Sequence, residues 1–202
     1  MVAGPNGSGK TTLTRWLRHA GVDFGEYINP DDIALTLPGS YEERVREAQL
    51  IADRRRATCV ERGQSFSFET VMSHPSKIEI VEQAKAAGFF AQLFFVGVDD
   101  PQTNIDRVAI RVAQGGHDVP KERIVARWHR TMQLLARAVA TIDRTYIFDN
   151  SRTGEHFQWL RMILQVDRSS TTGLAISAQF PPIPQWIRRY LIDRLRLSPI
   201  RR

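Results

Sequence analysis

Gly4-Pro5-Asn6-Gly7-Ser8-Gly9-Lys10-Thr11 matches the pattern G-x-x-x-x-G-K-[ST] at every fixed position. Glycines in such a loop let the backbone turn with positive φ, which brings successive N–H groups onto one concave face. That face and the start of the following helix together form an anion site. Lys10 is placed to reach β- and γ-phosphates, and the Thr11 hydroxyl to hold Mg²⁺. The competing reading is an ordinary Gly-rich turn with a solvated lysine, and the flanks argue against it. Val2-Ala3 supplies apolar strand before the loop, and Thr12 to Leu17 reads as helix after it. Leu13, Trp16, Leu17 and Ala20 fall at i, i+3, i+4 and i+7, one helical face. Residues Gly4 to Thr12 are therefore expected to bind a nucleoside triphosphate through its phosphates. The loop does not say what the nucleotide is used for.

Composition narrows the class. At 202 residues the chain suits one domain with an appendage, and its size needs no disulfide or metal staple. Cys59 is the only cysteine, so no intrachain disulfide forms, which fits a reducing cytoplasm. No signal pattern opens the sequence, and no apolar run is long enough to span a bilayer. The net charge of +6 invites a nucleic-acid reading. The excess sits instead at the C-terminus (Arg188, Arg189, Arg194, Arg196, Arg201, Arg202) and in a second group where phosphate chemistry needs it. Nucleic acid is accordingly not the expected partner.

Further along the chain, acids collect at strand ends. Only Met1-Val2-Ala3 precede the loop, so either the first strand is stunted or the native start lies upstream. Glu26 to Asn29 reads as a short strand ended by Pro30, with Asp31 and Asp32 at its C-terminal tip. In open α/β sheets ligands gather at such tips. A carboxylate there either takes a proton from an attacking hydroxyl, holds Mg²⁺ through water, or caps the next helix. Asp31 is the better catalytic candidate because it is closer to the strand end. Tyr41 to Arg62 reads as a long helix with Val45, Ala48, Ile51, Ala52 and Cys59 inward and Arg54-Arg55-Arg56 as a solvated face. Ser65 to Thr70 alternates and stops at Glu69-Thr70, a second strand tip bearing a carboxylate and a hydroxyl. Phe89 to Val98 is an apolar strand suited to a covered parallel sheet, closed by Asp99-Asp100-Pro101. Asp99 is the nearest approach to an apolar-strand-plus-Asp signature, and capping of the next helix by Asp99 or Asp100 explains it equally well.

Gln114-Gly115-Gly116-His117-Asp118-Val119-Pro120 reads as a flexible segment, and Arg123, Arg127 and Arg130 follow as a cationic row on a helix. Arginines flanking a Gly-Gly hinge suit a lid over a triphosphate, where a planar fork binds two phosphate oxygens at once. A solvated basic helix is the plainer alternative. Thr145 to Asn150 reads as a further strand with polar residues at its tip, where Asn150 either touches the adenine or ribose or belongs to a turn. Residues 159–166 form an expected last edge strand. The P-loop domain is then bounded at 1–168, with 169–202 as a linker and a basic amphipathic helix on the outside of the domain.

Taken together, the phosphate loop, Ile28-Asn29-Pro30-Asp31-Asp32-Ile33-Ala34, Phe68-Glu69-Thr70, the Gly115-to-Pro120 segment with Arg127-Trp128-His129-Arg130, and Asp149-Asn150-Ser151 resemble the zeta-toxin-like P-loop kinases. The likeness is greatest to the compact chromosomal branch and runs from about residue 1 to 166. The resemblance implies an α/β P-loop NTPase fold: a nucleotide-kinase-like parallel sheet flanked by helices, with an arginine-bearing lid. It implies transfer of the γ-phosphate of Mg-ATP to a hydroxyl. In the founding members that is the sugar 3′-hydroxyl of UDP-N-acetylglucosamine. By this resemblance Asp31 is the base, Lys10 and the loop hold the phosphates, and Thr11 holds Mg²⁺. Glu69 and Thr70 bind the acceptor or the metal, Arg127 and Arg130 with Arg111 are lid cations, and His117 joins the substrate-binding set. An antitoxin protein is the implied partner, although no antitoxin-like helical segment lies in this chain. The Gly-Gly-His-Asp-Val-Pro lid differs from the arginine spacing of the founding toxins. Two alternatives remain on the residues alone: a kinase for a nucleotide, antibiotic or nucleic-acid end, and a regulatory P-loop ATPase or binding module.

Overall fold

A computed structural model describes residues 1–116, 118–152, 160–169, 171 and 173–198. Five parallel strands carry the architecture: β1 (Val2–Ala3), β2 (Glu26–Ile28), β3 (Phe66–Thr70), β4 (Gln92–Gly97) and β5 (Arg144–Asp149). Antiparallel β6 (Arg161–Ser169) and β7 (Gly173–Gln179) extend the sheet to the order β2-β3-β1-β4-β5-β6-β7. β1 is only two residues long, yet it sits between β3 and β4 and pairs with both. Parallel strands need crossovers, and the helices supply them. They are α1 (Lys10–His19), α2 (Pro30–Leu35), α3 (Tyr41–Glu61), α4 (Ser76–Ala86), α5 (Pro101–Ala113) and α6 (Lys121–Thr141).

Local chemistry sets several of the boundaries. Asn29 caps α2 by accepting from the Asp31 N–H, with Pro30 at the first helical position. Ser40 and Glu43 form a reciprocal capping box at the start of α3. Asp100, followed by Pro101, caps α5 through the Gln102 N–H. The capping reading of Asp31 or Asp32 therefore gives way to Asn29, while that of Asp100 holds. The main core joins β1, β3, β4, β5 and β6 to α3, α4 and α6 through Phe68, Met72, Phe95, Trp128, Leu135, Ile147 and Leu164. A smaller cluster of Leu13, Leu17, Val96 and Phe148 seats α1 on the sheet.

The structure departs from the sequence reading in three places. Trp16 is 58% exposed, because α1 faces the sheet with Leu13, Thr14 and Leu17, and Trp16 sits on the shoulder of that stripe. Arg56 is buried rather than solvated. It falls on the same inward stripe as Ala48, Ala52 and Cys59, its guanidinium lies 5.2 Å from the Phe68 ring centroid, and it pairs with Asp53 one turn earlier.

The third departure is the tail. β6 is not an edge strand: β7 pairs with it from Ser169↔Gly173 to Leu164↔Gln179, so the expected linker is a hairpin of the same sheet. The helical segment 185–195, with a π-helical turn at Arg188–Ile192, packs inside the main core through Trp186, Ile187, Leu191 and Ile192. The Trp186 ring lies against Phe95 and over Gly97, where a Cβ would collide with the indole. Its Nε1–H donates to Asp149 Oδ1 at 2.9 Å. Replacing Trp186 by Ala is expected to cost about 3–5 kcal/mol in urea-induced unfolding, as for other buried aromatic truncations. An appendage on the outside of the domain would give a change near zero.

Candidate active site

The carboxyl ends of β1, β2, β3 and β5 meet at one rim, and the phosphate loop crosses it. Gly4 and Gly9 have no substitute there. Gly4, at φ 153°, presses against the Val96 carbonyl, and Gly9, at φ 102°, presses against the Asn150 side chain. The loop is fastened from outside. The Gly4 N–H donates to the Thr70 carbonyl at 3.3 Å and the Ser8 N–H to the Pro5 carbonyl at 3.2 Å. The Asn150 amide donates to the Ser8 carbonyl at 2.9 Å, and the Asn104 amide donates to the Asn6 carbonyl.

Lys10 is partly buried at the first residue of α1 and donates from Nζ to the Pro5 carbonyl at 3.0 Å. Desolvation lowers its pKa. Glu69 and Asp31 act in the opposite direction, while Arg111 and Arg127 add to the lowering. Those four charges come from β3, α2, α5 and α6, and each acts on the lysine electrostatically. Arg127 is itself half-buried, and its pKa is lowered by desolvation first and then by Arg123 and Arg130, against Tyr41 and Asp31.

Glu69 is the hub of the rim. Its Oε1 accepts from the Thr11 hydroxyl at 3.1 Å, and its Oε2 accepts from Tyr27 at 3.0 Å and Thr14 at 3.3 Å. Asp99 does not take this position: its N–H donates to Ser151 Oγ, and its pKa is raised by burial and by neighbouring Asp149. The reason is strand order. β3 lies directly beside β1, so the acid at its tip meets Thr11, while Asp99 follows β4 on the other side of β1.

The remaining expected residues divide. Pro5, Asn6, Gly7 and Ser8 form the loop wall, with Ser8 fully buried, and Thr12 lies on the exposed side of α1. Thr70 turns its hydroxyl to the Met72 N–H at 3.0 Å, which ties it to its own turn. Asn150 touches the loop itself. Arg130 is exposed at the edge of the arginine row, and His117 lies outside the described residues. Sequence reasoning passed over Tyr27, Thr14 and Asn104. Tyr27 and Thr14 look like ordinary strand and helix residues. Asn104 carried one signal, a polar residue four positions before Val108 on the inward side of α5.

An oxygen-rich donor set beside a phosphate loop suits a hard divalent cation that keeps most of its waters. The Thr11 hydroxyl, backed by Glu69, fits that role. Among the described residues no group of three or more His, Cys, Asp or Glu side chains could hold a metal by itself. No helix among them is long and apolar enough to cross a membrane.

This sheet, parallel through β5 and closed by the antiparallel β6 and β7 rather than parallel throughout, has a phosphate loop at its rim and is a P-loop kinase-like fold. The Zeta toxin family pattern matches residues 1–158, and the chain belongs to that family. A chain of the AvrRxo1-ORF1:AvrRxo1-ORF2 complex, solved with ATP, is similar in fold at a TM-score of 0.64 and 16% identity, over 87% of this chain and 59% of that one. The present chain thus spans less than two thirds of that relative. A chain of the PezAT chromosomal toxin–antitoxin system of Streptococcus pneumoniae is similar at a TM-score of 0.59 and 17% identity, over 77% of this chain and 70% of that one. An uncharacterised Haemophilus influenzae protein is 28% identical over 129 residues, 62% of this chain and 88% of its own length.

The desolvated lysine yields a test that separates binding from folding. Replacing Lys10 by Met removes a charge whose burial is costly, so the melting temperature without ligand is expected to equal or exceed that of the unaltered protein. Stabilisation by a nucleoside triphosphate, about 2.7 kcal/mol at a hundred times Kd, is expected to vanish. Differential scanning fluorimetry with and without nucleotide reads both quantities.

Proposed function

We propose that the protein is an ATP-dependent phosphotransferase that moves the γ-phosphate of Mg-ATP to a hydroxyl of a small molecule, with UDP-N-acetylglucosamine as the first acceptor to test. The observation that carries the reading is the Thr11–Glu69 hydrogen bond at the phosphate loop beside a lysine on which Glu69, Asp31, Arg111 and Arg127 all act electrostatically. In a kinase the acceptor hydroxyl must lose a proton, and Asp31 stands apart from the loop, after another strand, where it can take it.

In this reading the loop N–H groups and Lys10 hold the β- and γ-phosphates, and Thr11 with Glu69 holds the metal side of the nucleotide. Mg²⁺, when bound there, offsets charge on the β- and γ-phosphate oxygens. The acceptor oxygen forms its bond to the γ-phosphorus as the bridge to the β-phosphate breaks, and the acceptor proton passes to Asp31. Arg127 and Arg130, with Arg111, act as lid cations that close on the charge of the transferring group. Arg127 suits this task because a guanidinium already half desolvated gives up little water on meeting a phosphate. Asn150 keeps the loop in shape beside the nucleotide, and acceptor binding is assigned to Thr70 and, on the family resemblance alone, to His117. Consumption of ATP points to the cytoplasm.

The toxin–antitoxin setting of the Streptococcus pneumoniae relative supports an antitoxin as partner. Its expected effect is a block of the same rim.

The test is direct. Purified protein with Mg-ATP and UDP-N-acetylglucosamine is expected to give a singly phosphorylated sugar nucleotide by mass spectrometry, and an untargeted metabolite extract covers other acceptors. Asp31→Asn is expected to lower transfer by about a hundred- to ten-thousand-fold, the usual worth of a general base, with nucleotide affinity retained. Full activity of Asp31→Asn would remove Asp31 from the role. ATP hydrolysis stimulated by nucleic acid, with no phosphorylated small molecule, would replace the kinase reading by a regulatory one.

A further inference from the structure

Tyr27 lies in β2 with no obvious task. β2 is the edge of the sheet, and its register pairs Tyr27 with Ser67 of β3. Successive residues of a strand alternate faces, so Tyr27 shares a face with Ser67 and with Glu69 two residues further on. Its hydroxyl reaches Glu69 Oε2 at 3.0 Å. The ring is fixed independently of that bond. The Arg18 guanidinium sits 4.3 Å from its centroid, and Phe24 meets it edge-on at 6.0 Å. Phenylalanine would fill the same space, so packing does not require the hydroxyl.

The hydroxyl matters through what it does to Glu69. Thr14 donates to the same oxygen, Oε2, and Thr11 to the other, Oε1. With Oε2 held by Tyr27 and Thr14, the carboxylate cannot turn, and Oε1 stays aimed at Thr11. A threonine hydroxyl has one proton and two lone pairs. When the proton is committed to Glu69, the lone pairs are left for a cation. Burial and the charge of Glu69 raise the Tyr27 pKa, so the phenol remains a donor across the physiological range.

We propose that Tyr27 is a positioning residue of the phosphoryl-transfer site: by fixing the Glu69 carboxylate it orients the Thr11 hydroxyl and so sets the affinity for the divalent cation that accompanies the nucleotide. The inference rests on the phosphotransferase reading above and concerns only its metal side.

The test uses Tyr27→Phe in the full chain, with binding of a fluorescent ATP analogue titrated against Mg²⁺. The Mg²⁺ concentration for half-maximal binding is expected to rise about five-fold, the scale of one hydrogen bond. Affinity for the analogue in EDTA is expected to stay the same, because the loop and Lys10 are untouched. In a Glu69→Gln background, Tyr27→Phe is expected to add no further shift, since the residue acts through that carboxylate. An unchanged Mg²⁺ dependence in Tyr27→Phe overturns the inference, as does a shift of equal size in both backgrounds. Unaltered protein that binds the analogue without any response to Mg²⁺ overturns the phosphotransferase reading as well. Failure of that reading is thus told apart from failure of this inference by the unaltered protein alone.

Discussion

Two asparagine amides, Asn104 from α5 and Asn150 from the tip of β5, hold the carbonyls of Asn6 and Ser8 on the outside of the phosphate loop. The carbonyl of one residue and the N–H of the next belong to a single planar trans peptide and point in opposite directions. Fixing those two carbonyls outward therefore aims the N–H groups of Gly7 and Gly9 inward. Without that restraint a loop with three positive-φ glycines has many shapes open to it, and an anion would have to order it on binding. The rest of the rim depends on this preorganisation, because Lys10 and Thr11 follow the loop directly and inherit their positions from it.

The sheet order explains which side chains reach the loop. β1 lies between β3 and β4, and β2 lies beyond β3. The tip of β3 thus brings Glu69 against Thr11, and the turn after β2 brings Asp31 one strand further out. α6 crosses from the other side with Trp128 bonded to the Val98 carbonyl at 3.3 Å and Thr131 to the Val71 carbonyl at 2.8 Å. These two bonds fix the helix against the ends of β4 and β3. The arginine that precedes Trp128 is then held half-buried, where the charges of Tyr41 and Asp31 act on it. Arg127 is in place because Trp128 and Thr131 are buried.

Much of this was legible in the sequence, for a physical reason. The loop is a local motif whose backbone conformation is written in its glycines, and the strands before Asp31 and Glu69 end on visible breaks. What was not legible depends on distant partners. Asp99 and Glu69 both stand at the carboxyl ends of strands, and only strand order decides which one meets Thr11. Arg56 looks like any surface arginine until Phe68 is placed beneath it. The tail looked like a linker because Ser169 to Gly173 is polar and the helix beyond is rich in arginine. Its apolar side fits a surface helix and a core helix equally well. The deciding contact, Trp186 over Gly97 with its indole N–H on Asp149, joins residues that no local pattern connects. Tyr27 and Thr14 escaped for the same reason, since each gains its meaning from a carboxylate on another strand.

The rim contains two carboxylates near one lysine, and hydrogen-bond accounting separates their roles. Glu69 receives three hydroxyl protons, from Thr11, Thr14 and Tyr27. Three of its roughly four acceptor positions are thereby taken, and the orientation of the carboxylate is fixed. Asp31 contrasts with it. It stands in the first turn of α2, exposed, and its backbone N–H is bonded to Asn29 while no donor among the described residues is bonded to its carboxylate. Its neighbours act through charge alone, from Lys10 and Arg127. The pinned carboxylate is fitted to hold a fixed geometry beside the loop, and the open one, in the proposed reaction, is free to meet the acceptor hydroxyl. In the proposed reaction the division of labour therefore does not rest on distance to the loop, by which Glu69 would be preferred, but on which carboxylate is left without a hydrogen-bond donor among the described residues.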